Sequence, residues 1–335
     1  MVGLVAVLLL MRATPDGLET DAVVDALREG WDLDADSVEY AAVGAGSYHW
    51  RVAGGFVTVD HLGQKAWLGD THDAAFAGLR DAFDTAVALR ERGLDFVVAP
   101  IPSRNGESLR RIDARYSVAL FPYVDGEAGE FGYFEDDPDG RRAVVEMLAE
   151  LHRSPVATPI RTSGLDLPGR HHLEDALRDI DEPWTGGPLS EPAREAIKES
   201  ASALTELLAL ADDLRVQAEQ HAHDWVVTHG EPHAGNVMRT DTGYVLVDWD
   251  TVALGPPERD MWMLVAGGAE AAGLYADASG TRLDEAAIDF FRLTWELKDL
   301  AEYLSVFRSP HKENTDTVRQ FGALKNIGAT CDEWT

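Results

Sequence analysis

The chain has 335 residues, with 29 Lys and Arg against 59 Asp and Glu, a formal net charge of −30. Nucleic-acid binding rests on basic contacts to phosphates, so this balance argues against it. An apolar share of 45% is ordinary for a folded protein with a substantial core, and the single cysteine, Cys331, excludes an intrachain disulfide and fits a reducing cytoplasm.

Most of the acidic excess reads as solvated surface. Val2–Leu10 is apolar but far short of the about 20 residues that span a bilayer. It also lacks the basic start of a secretory signal, so no membrane association is expected. Residues 1–15 are expected to be a flexible extension, with Met11 as the natural start.

Asp21–Trp31 is predicted helical, with Thr20 as its N-cap. Three strands follow, Val38–Val43, Tyr48–Val52 and Phe56–Asp60, joined by the glycine-bearing turns Gly44-Ala45-Gly46-Ser47 and Ala53-Gly54-Gly55. Apolar residues at 76, 79, 83 and 87 mark Asp73–Arg92 as an amphipathic helix, ended by Gly93. Phe96–Ile101, Leu109–Ile112 and Ser117–Val124 complete a sheet of five or six strands. Phe121–Gly126 then reads as a hinge and Gly129–Gly140 as an acidic mobile loop. The remainder is mainly helical: Arg141–His152, Glu191–Ala211 and Glu285–Phe307.

The chemistry concentrates in His229-Gly230-Glu231-Pro232-His233-Ala234-Gly235-Asn236. Beyond a turn at Asp241-Thr242-Gly243, the strand Tyr244–Val247 ends in Asp248-Trp249-Asp250. Pro232 and Gly235 make the first segment a loop. An acid, an amide and a second acid in this order fit phosphoryl transfer, which asks for positioned oxygen ligands and a base. Mg²⁺ takes few protein oxygens and completes its octahedron with phosphates and water. Asn236 and Asp248 are the candidate metal ligands, and Glu231 is the candidate base for a substrate hydroxyl. Zinc on His229 and His233 is disfavoured, because a zincin has Glu directly after the first histidine and both histidines on a helix. Asp250 is a further ligand or, preferably, a solvated neighbour.

This passage resembles the His-x-Asp-x-x-x-x-Asn motif and the following metal-binding Asp of the aminoglycoside phosphotransferase family. Val247-Asp248-Trp249-Asp250 and Pro257-Glu258-Arg259-Asp260 are similar to its spectinomycin phosphotransferase branch. The resemblance implies an α+β, protein-kinase-like fold of two lobes, a small antiparallel-sheet N-lobe over 16–124 and a mainly helical C-lobe over 125–335. It also implies ATP as donor (GTP stays open), Mg²⁺, and transfer of the γ-phosphate to the hydroxyl of a small molecule. Asp260 would cap the next helix and hold the backbone near His229, itself a structural support of the loop. Gly44, Gly46 and Ser47 would cover phosphates with backbone N–H groups, although an ordinary hairpin turn fits them as well, and the backbone of Tyr123 and Val124 would pair with the nucleotide base.

Two departures stand out. Family members carry Asp where this chain has Glu231, and a misplacement of about 1 Å can cost on the order of a hundredfold in rate. Kinase-like folds also grip the phosphates with a third-strand lysine, where Phe56-Val57-Thr58-Val59-Asp60 presents Thr58. Either Lys65 or Arg51 reaches in from elsewhere or the grip is missing, and the simpler reading of Lys65 is an exposed loop lysine. On the substrate side, Glu285, Asp289, Glu296 and Asp299 share one face of their helix, beside an apolar stripe of Phe290, Leu293, Leu297, Leu300 and Leu304. Asp289, Glu296 and Asp299 are the candidates for selecting a cationic, amine-bearing acceptor, with Trp295 and Tyr303 as an alternative apolar wall. The competing function is a kinase-like protein that binds nucleotide or metabolite with little turnover. Oligomeric state is left open.

Overall fold

Alternating apolar residues build the first sheet. Strands β1 (Glu39–Ala41), β2 (Tyr48–Val52), β3 (Gly55–His61), β4 (Arg110–Arg111) and β5 (Tyr116–Pro122) are antiparallel, in the order β1-β2-β3-β5-β4. Successive side chains on a strand point to opposite faces. Val57, Val59, Val118 and Leu120 therefore pack with Val23 and Leu27 of α1 (Thr20–Trp31) on one face. Ala119 and Phe121 pack with Leu79 and Phe83 of α2 (His72–Glu91) on the other. The computed structural model describes residues 14–33, 38–44, 46–129, 132, 134, 136–155, 159–220, 225–327 and 334. The readings of Met11 as a start, of most of the N-terminal extension, of Ala45 and of Cys331 lie outside the described residues.

Several boundaries move. Thr20 is the first residue of α1, and Glu19 takes the N-cap position without a side-chain bond. Thr71 caps α2, its hydroxyl accepting from Ala74 N at 3.2 Å, and Gly93 follows the helix at φ +97°. Phe96–Ile101 is not a strand. Val97 makes a single bridge to Leu246, and Pro100 and Pro102 cannot donate to a ladder. The segment instead clasps a hairpin from later in the chain: Val98 N donates to Leu246 O at 3.0 Å and Leu246 N to Phe96 O at 2.7 Å. The acidic stretch before Gly140 ends in helix, because Asp137 accepts from Gly140 N at 2.9 Å and Pro138 occupies the first turn of α3 (Pro138–Arg153), where its missing N–H costs nothing.

Packing divides the chain into two units. The described residues of Leu8–Ser163 and Asp224–Arg282 form the one that holds every sheet. Besides the elements above it contains β6 (Glu127–Ala128), β7 (Val226–Thr228), β8 (Val237–Thr240), β9 (Gly243–Leu246), β10 (Ala253–Gly255), α7 (Glu258–Gly267) and α8 (Glu270–Ser279). β6, β8 and β9 form a small antiparallel sheet, and β7 pairs with β10.

The described residues of Gly164–His223 and Leu283–Thr335 form a helical unit. Its helices are α4 (Arg170–Arg178), α5 (Ser190–Glu199), α6 (Ala201–Gln220), α9 (Glu285–Arg308) and α10 (Thr315–Leu324). The single helix expected over Glu191–Ala211 is broken at Ser200, whose N–H turns back to Ile197 O at 3.0 Å. The apolar stripe of α9 is buried along its length, against α4 and α6. Among the described residues no helix is long and apolar enough to cross a membrane.

Candidate active site

β7 delivers the chain into His229-Gly230-Glu231, and a carboxylate fastens that corner. Asp260, in the first turn of α7, accepts from His229 N at 2.8 Å and from Gly230 N at 2.6 Å. His152 of α3 sits 3.0 Å from the same carboxylate and 2.7 Å from the Tyr275 hydroxyl. Burial would push Asp260 up, but His152 and the neighbouring Arg259 outweigh it and hold the carboxyl below its usual range. Gly230 has φ +101°, and a Cβ there would come within 2.3 Å of the Arg259 guanidinium, so only glycine fits the turn. Arg259 donates to Thr228 Oγ1 at 2.7 Å and to Thr251 O at 2.9 Å, while the Thr251 hydroxyl donates to His229 O at 2.7 Å.

His229 is fully buried. Its Nε2 donates to Val247 O at 2.9 Å and its Nδ1 accepts from Glu231 N at 3.2 Å. Both nitrogens are thus committed in the neutral ring, and burial lowers its pKa. That geometry removes His229 from any zinc site. It makes the ring a spacer between the Glu231 loop and the Asp248 segment.

Glu231 is half-buried. Asn236 is buried, ends a short 3-10 turn and donates its amide nitrogen to Glu231 O at 3.0 Å, which leaves its oxygen as the acceptor end of the side chain. Asp248 follows β9 in the left-handed region, φ +65°, a conformation Asp tolerates and most residues do not. The residue is open to solvent, though deep among other groups. The surrounding protein mass, followed by the Asp250 carboxylate, raises its carboxyl well above the usual range, and Lys65 opposes them. A cation is what such a crowded carboxyl lacks.

Lys65 corrects the reading of an exposed loop lysine. It is 2% exposed, and its Nζ lies 2.6 Å from Asp250, 3.0 Å from Asp60 and 3.2 Å from Ser47 Oγ. Burial alone would lower the ammonium; Asp250, Asp60 and Asp248 together hold it above its ordinary value. Asp250 is therefore no solvated neighbour, since it is buried and paired. β1 and β2 pair antiparallel, and between them lie Gly44 at φ +72°, Gly46 at φ +78° and Ser47. A Cβ at Gly46 would lie 4.0 Å from Lys65 Nζ, and Ser47 donates to Asp60 at 2.6 Å. Turn, Lys65 and the Asp248–Asp250 segment are thus one cluster. Thr58 is not part of it: its hydroxyl faces His49 at 3.3 Å. Arg51 is not either, because its guanidinium lies 5.7 Å from the centre of the Tyr123 ring.

The other candidates are more dispersed. Tyr123 is exposed and its N–H already donates to Gly54 O at 3.3 Å, which leaves Val124 as the hinge residue whose N–H is not committed there. Val97, Pro122, Val124 and Val245 border an apolar groove of about 440 Å³ beside the hinge. Lys65, Glu231, Asn236 and Asp248 do not line it, so groove and charge cluster are separate features. Asp289, Glu296 and Asp299 lie on α9 in the helical unit, the first exposed and the other two half-buried, while Tyr303 is buried. Sequence reasoning missed Asp60, His152 and Arg161. Asp60 had a signal: a charged residue closing an otherwise apolar strand.

The sequence profile of the phosphotransferase enzyme family matches residues 56–294. Protein StrN of Streptomyces griseus is 29% identical over 255 residues, 73% of this chain and 74% of StrN. Among solved structures, spectinomycin phosphotransferase in complex with ADP and spectinomycin has a TM-score of 0.70 at 15% identity, covering 95% of this chain and 100% of that one. The microcompartment-associated aminopropanol kinase has a TM-score of 0.60 at 16% identity, covering 94% and 97%. At such identities the structural likeness concerns the fold, which is α+β and protein-kinase-like, with two lobes.

Proposed function

The chain belongs to the phosphotransferase enzyme family, and on that premise we propose that it is an ATP- and Mg²⁺-dependent O-phosphotransferase acting on a hydroxyl of a small molecule. The observation that carries this reading is the hairpin. Before and after its two strands it presents a half-buried carboxylate at Glu231, a buried amide at Asn236 whose nitrogen is held by Glu231 O, and a solvent-open, crowded carboxyl at Asp248. Among the described residues no three His, Cys, Asp or Glu side chains gather as a metal cage. One amide and one carboxylate suit Mg²⁺, whose remaining ligands are phosphates and water, better than they suit zinc or calcium.

Asn236 and Asp248 would hold the ion, which when bound supplies positive charge against the phosphates. Residues 16–124 would cover the nucleotide and 125–335 carry the metal ligands, the base and the acceptor side. Lys65 would meet the phosphates in place of a third-strand lysine, beneath the Gly44, Gly46 and Ser47 turn, with Val124 on the base. Glu231 would take the acceptor proton, its longer side chain set by the His229–Asp260 fastening. The acceptor would be an aminoglycoside-like or other amine-bearing compound, drawn by Asp289, Glu296 and Asp299. The solved relative that holds spectinomycin supports starting there.

A coupled assay of ADP release across a panel of hydroxyl-bearing amines tests this. The native protein should turn over at least one of them. Asp248→Ala should lower kcat on the order of 10²–10³-fold, the scale of one lost electrostatic contact to a transition state. Nucleotide binding without turnover on any acceptor would favour the binding-protein reading instead.

A further inference from the structure

Arg161 is the charged residue beside the hairpin that the reading above leaves without a part. Its backbone is pinned there. Thr162 bridges in parallel to Leu254 of β10, Leu254 N donates to Arg161 O at 2.9 Å, and Ser163 N donates to Leu254 O at 2.8 Å. Leu254 pairs in turn with Val227 of β7, the strand that runs into Glu231. The guanidinium donates through Nη2 to Thr251 O at 2.8 Å. Arg259 already serves that carbonyl, and the Thr251 hydroxyl already holds His229 O. Arg161 is thus redundant as a tie, yet its Nε is buried and has no partner among the described residues. Leaving a buried donor unmet is costly unless something else comes to meet it.

The charge of Arg161 acts on Glu231 and Asp250 together. Burial, with Arg259 beside it, lowers its pKa to about 10, so it remains a cation at neutral pH. Lys65 pairs with Asp250 at 2.6 Å. Both cations thus act on Asp250, Lys65 in direct contact and Arg161 through its charge from the Thr251 side, where it also acts on Glu231. A guanidinium offers donors in a fork that matches phosphate oxygens.

Resting on the phosphotransferase reading, we propose that Arg161 is a catalytic residue whose spare donors bind the phosphoryl group while it moves between nucleotide and acceptor. In that step the acceptor oxygen bonds to the γ-phosphorus as the bond from that phosphorus to the β–γ bridging oxygen breaks. The bridging oxygen keeps the electron pair and leaves with ADP. The acceptor proton passes to the Glu231 carboxylate, and Arg161 stays protonated throughout, supplying charge where the equatorial oxygens become most negative.

The full-length protein, Arg161→Ala and Arg161→Lys are compared with water as acceptor, so that no substrate need be known. ATP hydrolysis gives kcat and KM, and calorimetry gives the affinities for Mg²⁺·AMP-PNP and for Mg²⁺·ADP with aluminium fluoride, a mimic of the group in flight. Arg161→Ala should lower kcat by about 10³-fold, the low end for an arginine contact of this kind. It should leave KM and AMP-PNP affinity within about threefold and weaken the fluoride complex at least about tenfold. Millimolar guanidinium should restore part of the activity to Arg161→Ala, and Arg161→Lys should lose less than Arg161→Ala. Equal weakening of both nucleotide complexes, or a kcat for Arg161→Ala within about threefold of native, would overturn the assignment while the enzyme reading stands. A native protein no more active than Asp248→Ala, and blind to aluminium fluoride, would remove both.

Discussion

Lys65 in the sheet-bearing unit lies 2.6 Å from Asp250, and Lys198 in the helical unit lies 2.8 Å from Asp181. The first pair is almost out of water, with side chains 2% and 10% exposed; the second stands in it, at 47% and 81%. Nearly equal distances therefore describe unlike interactions. An exposed pair gives up hydration for little gain. A buried one has already lost its hydration, so removing either partner strands the other. The same contrast runs through both units. The sheet-bearing unit buries Asp60, Lys65, Arg259 and Asp260 in hydrogen-bonded contact, whereas the acids of α9 flank an apolar stripe and are exposed or half-buried.

The largest expected effect tests that contrast directly. Lys65→Met should destabilise the protein by about 3–5 kcal/mol, the scale of an uncompensated buried charge, read as a lowered urea midpoint. Lys198→Met should leave the midpoint unchanged. Equal shifts would mean that burial does not separate the two pairs.

Acid should weaken the sheet-bearing unit through half-buried His49 and buried His233. Burial, with Lys65 near His49, lowers the pKa of His49 and of His233 to about 4. The folded state therefore binds fewer protons than the unfolded chain between the ordinary histidine value, about 6.5, and about 4. Stability contributed by the neutral rings is complete above about 6.5 and is lost as pH falls toward 4, up to about 3 kcal/mol for each ring across the window. Urea unfolding at pH 7 and pH 5 measures it, and His233→Gln should make the fall shallower. A flat profile would show that these rings are not held neutral.

The smallest effect belongs to the helical unit. Glu296→Gln combined with Asp299→Asn should leave the unfolding midpoint in place and raise KM for an amine-bearing acceptor by about twofold to fivefold, the range of a partly screened pair. An unchanged KM would return these acids to solvated surface.

Elements that declare themselves locally were legible before any coordinates. β2 matches its predicted span, and β3, α2 and α9 match within a residue or so, because alternation, a 3.6-residue stripe and a closing glycine are written into adjacent positions. The breaks came where context outvoted pattern. Phe96–Ile101 looks like a strand, but its donors scatter, Val97 to Leu94, Val98 to Leu246 and Ile101 to Leu120, and Pro100 has none. Ser200 interrupts a helical pattern that carries no proline or glycine near the break, Pro192 lying in the first turn. Lys65 read as a loop lysine because nothing beside it in sequence hints at a distant acid.

By itself the order of residues determined the acid, amide and acid of Glu231, Asn236 and Asp248, the glycine at 230, and the apolar faces that make a sheet-and-helix fold. It also placed the chain among phosphotransferases. Only the tertiary structure decided which charges meet: Lys65 with Asp250, His152 with Asp260, and Arg161 with the hairpin that carries Glu231. The division has one cause. Backbone geometry repeats over a few residues and so leaves its period in the sequence. The partner of a buried charge is chosen by desolvation and packing among segments far apart along the chain, and nothing local records that choice.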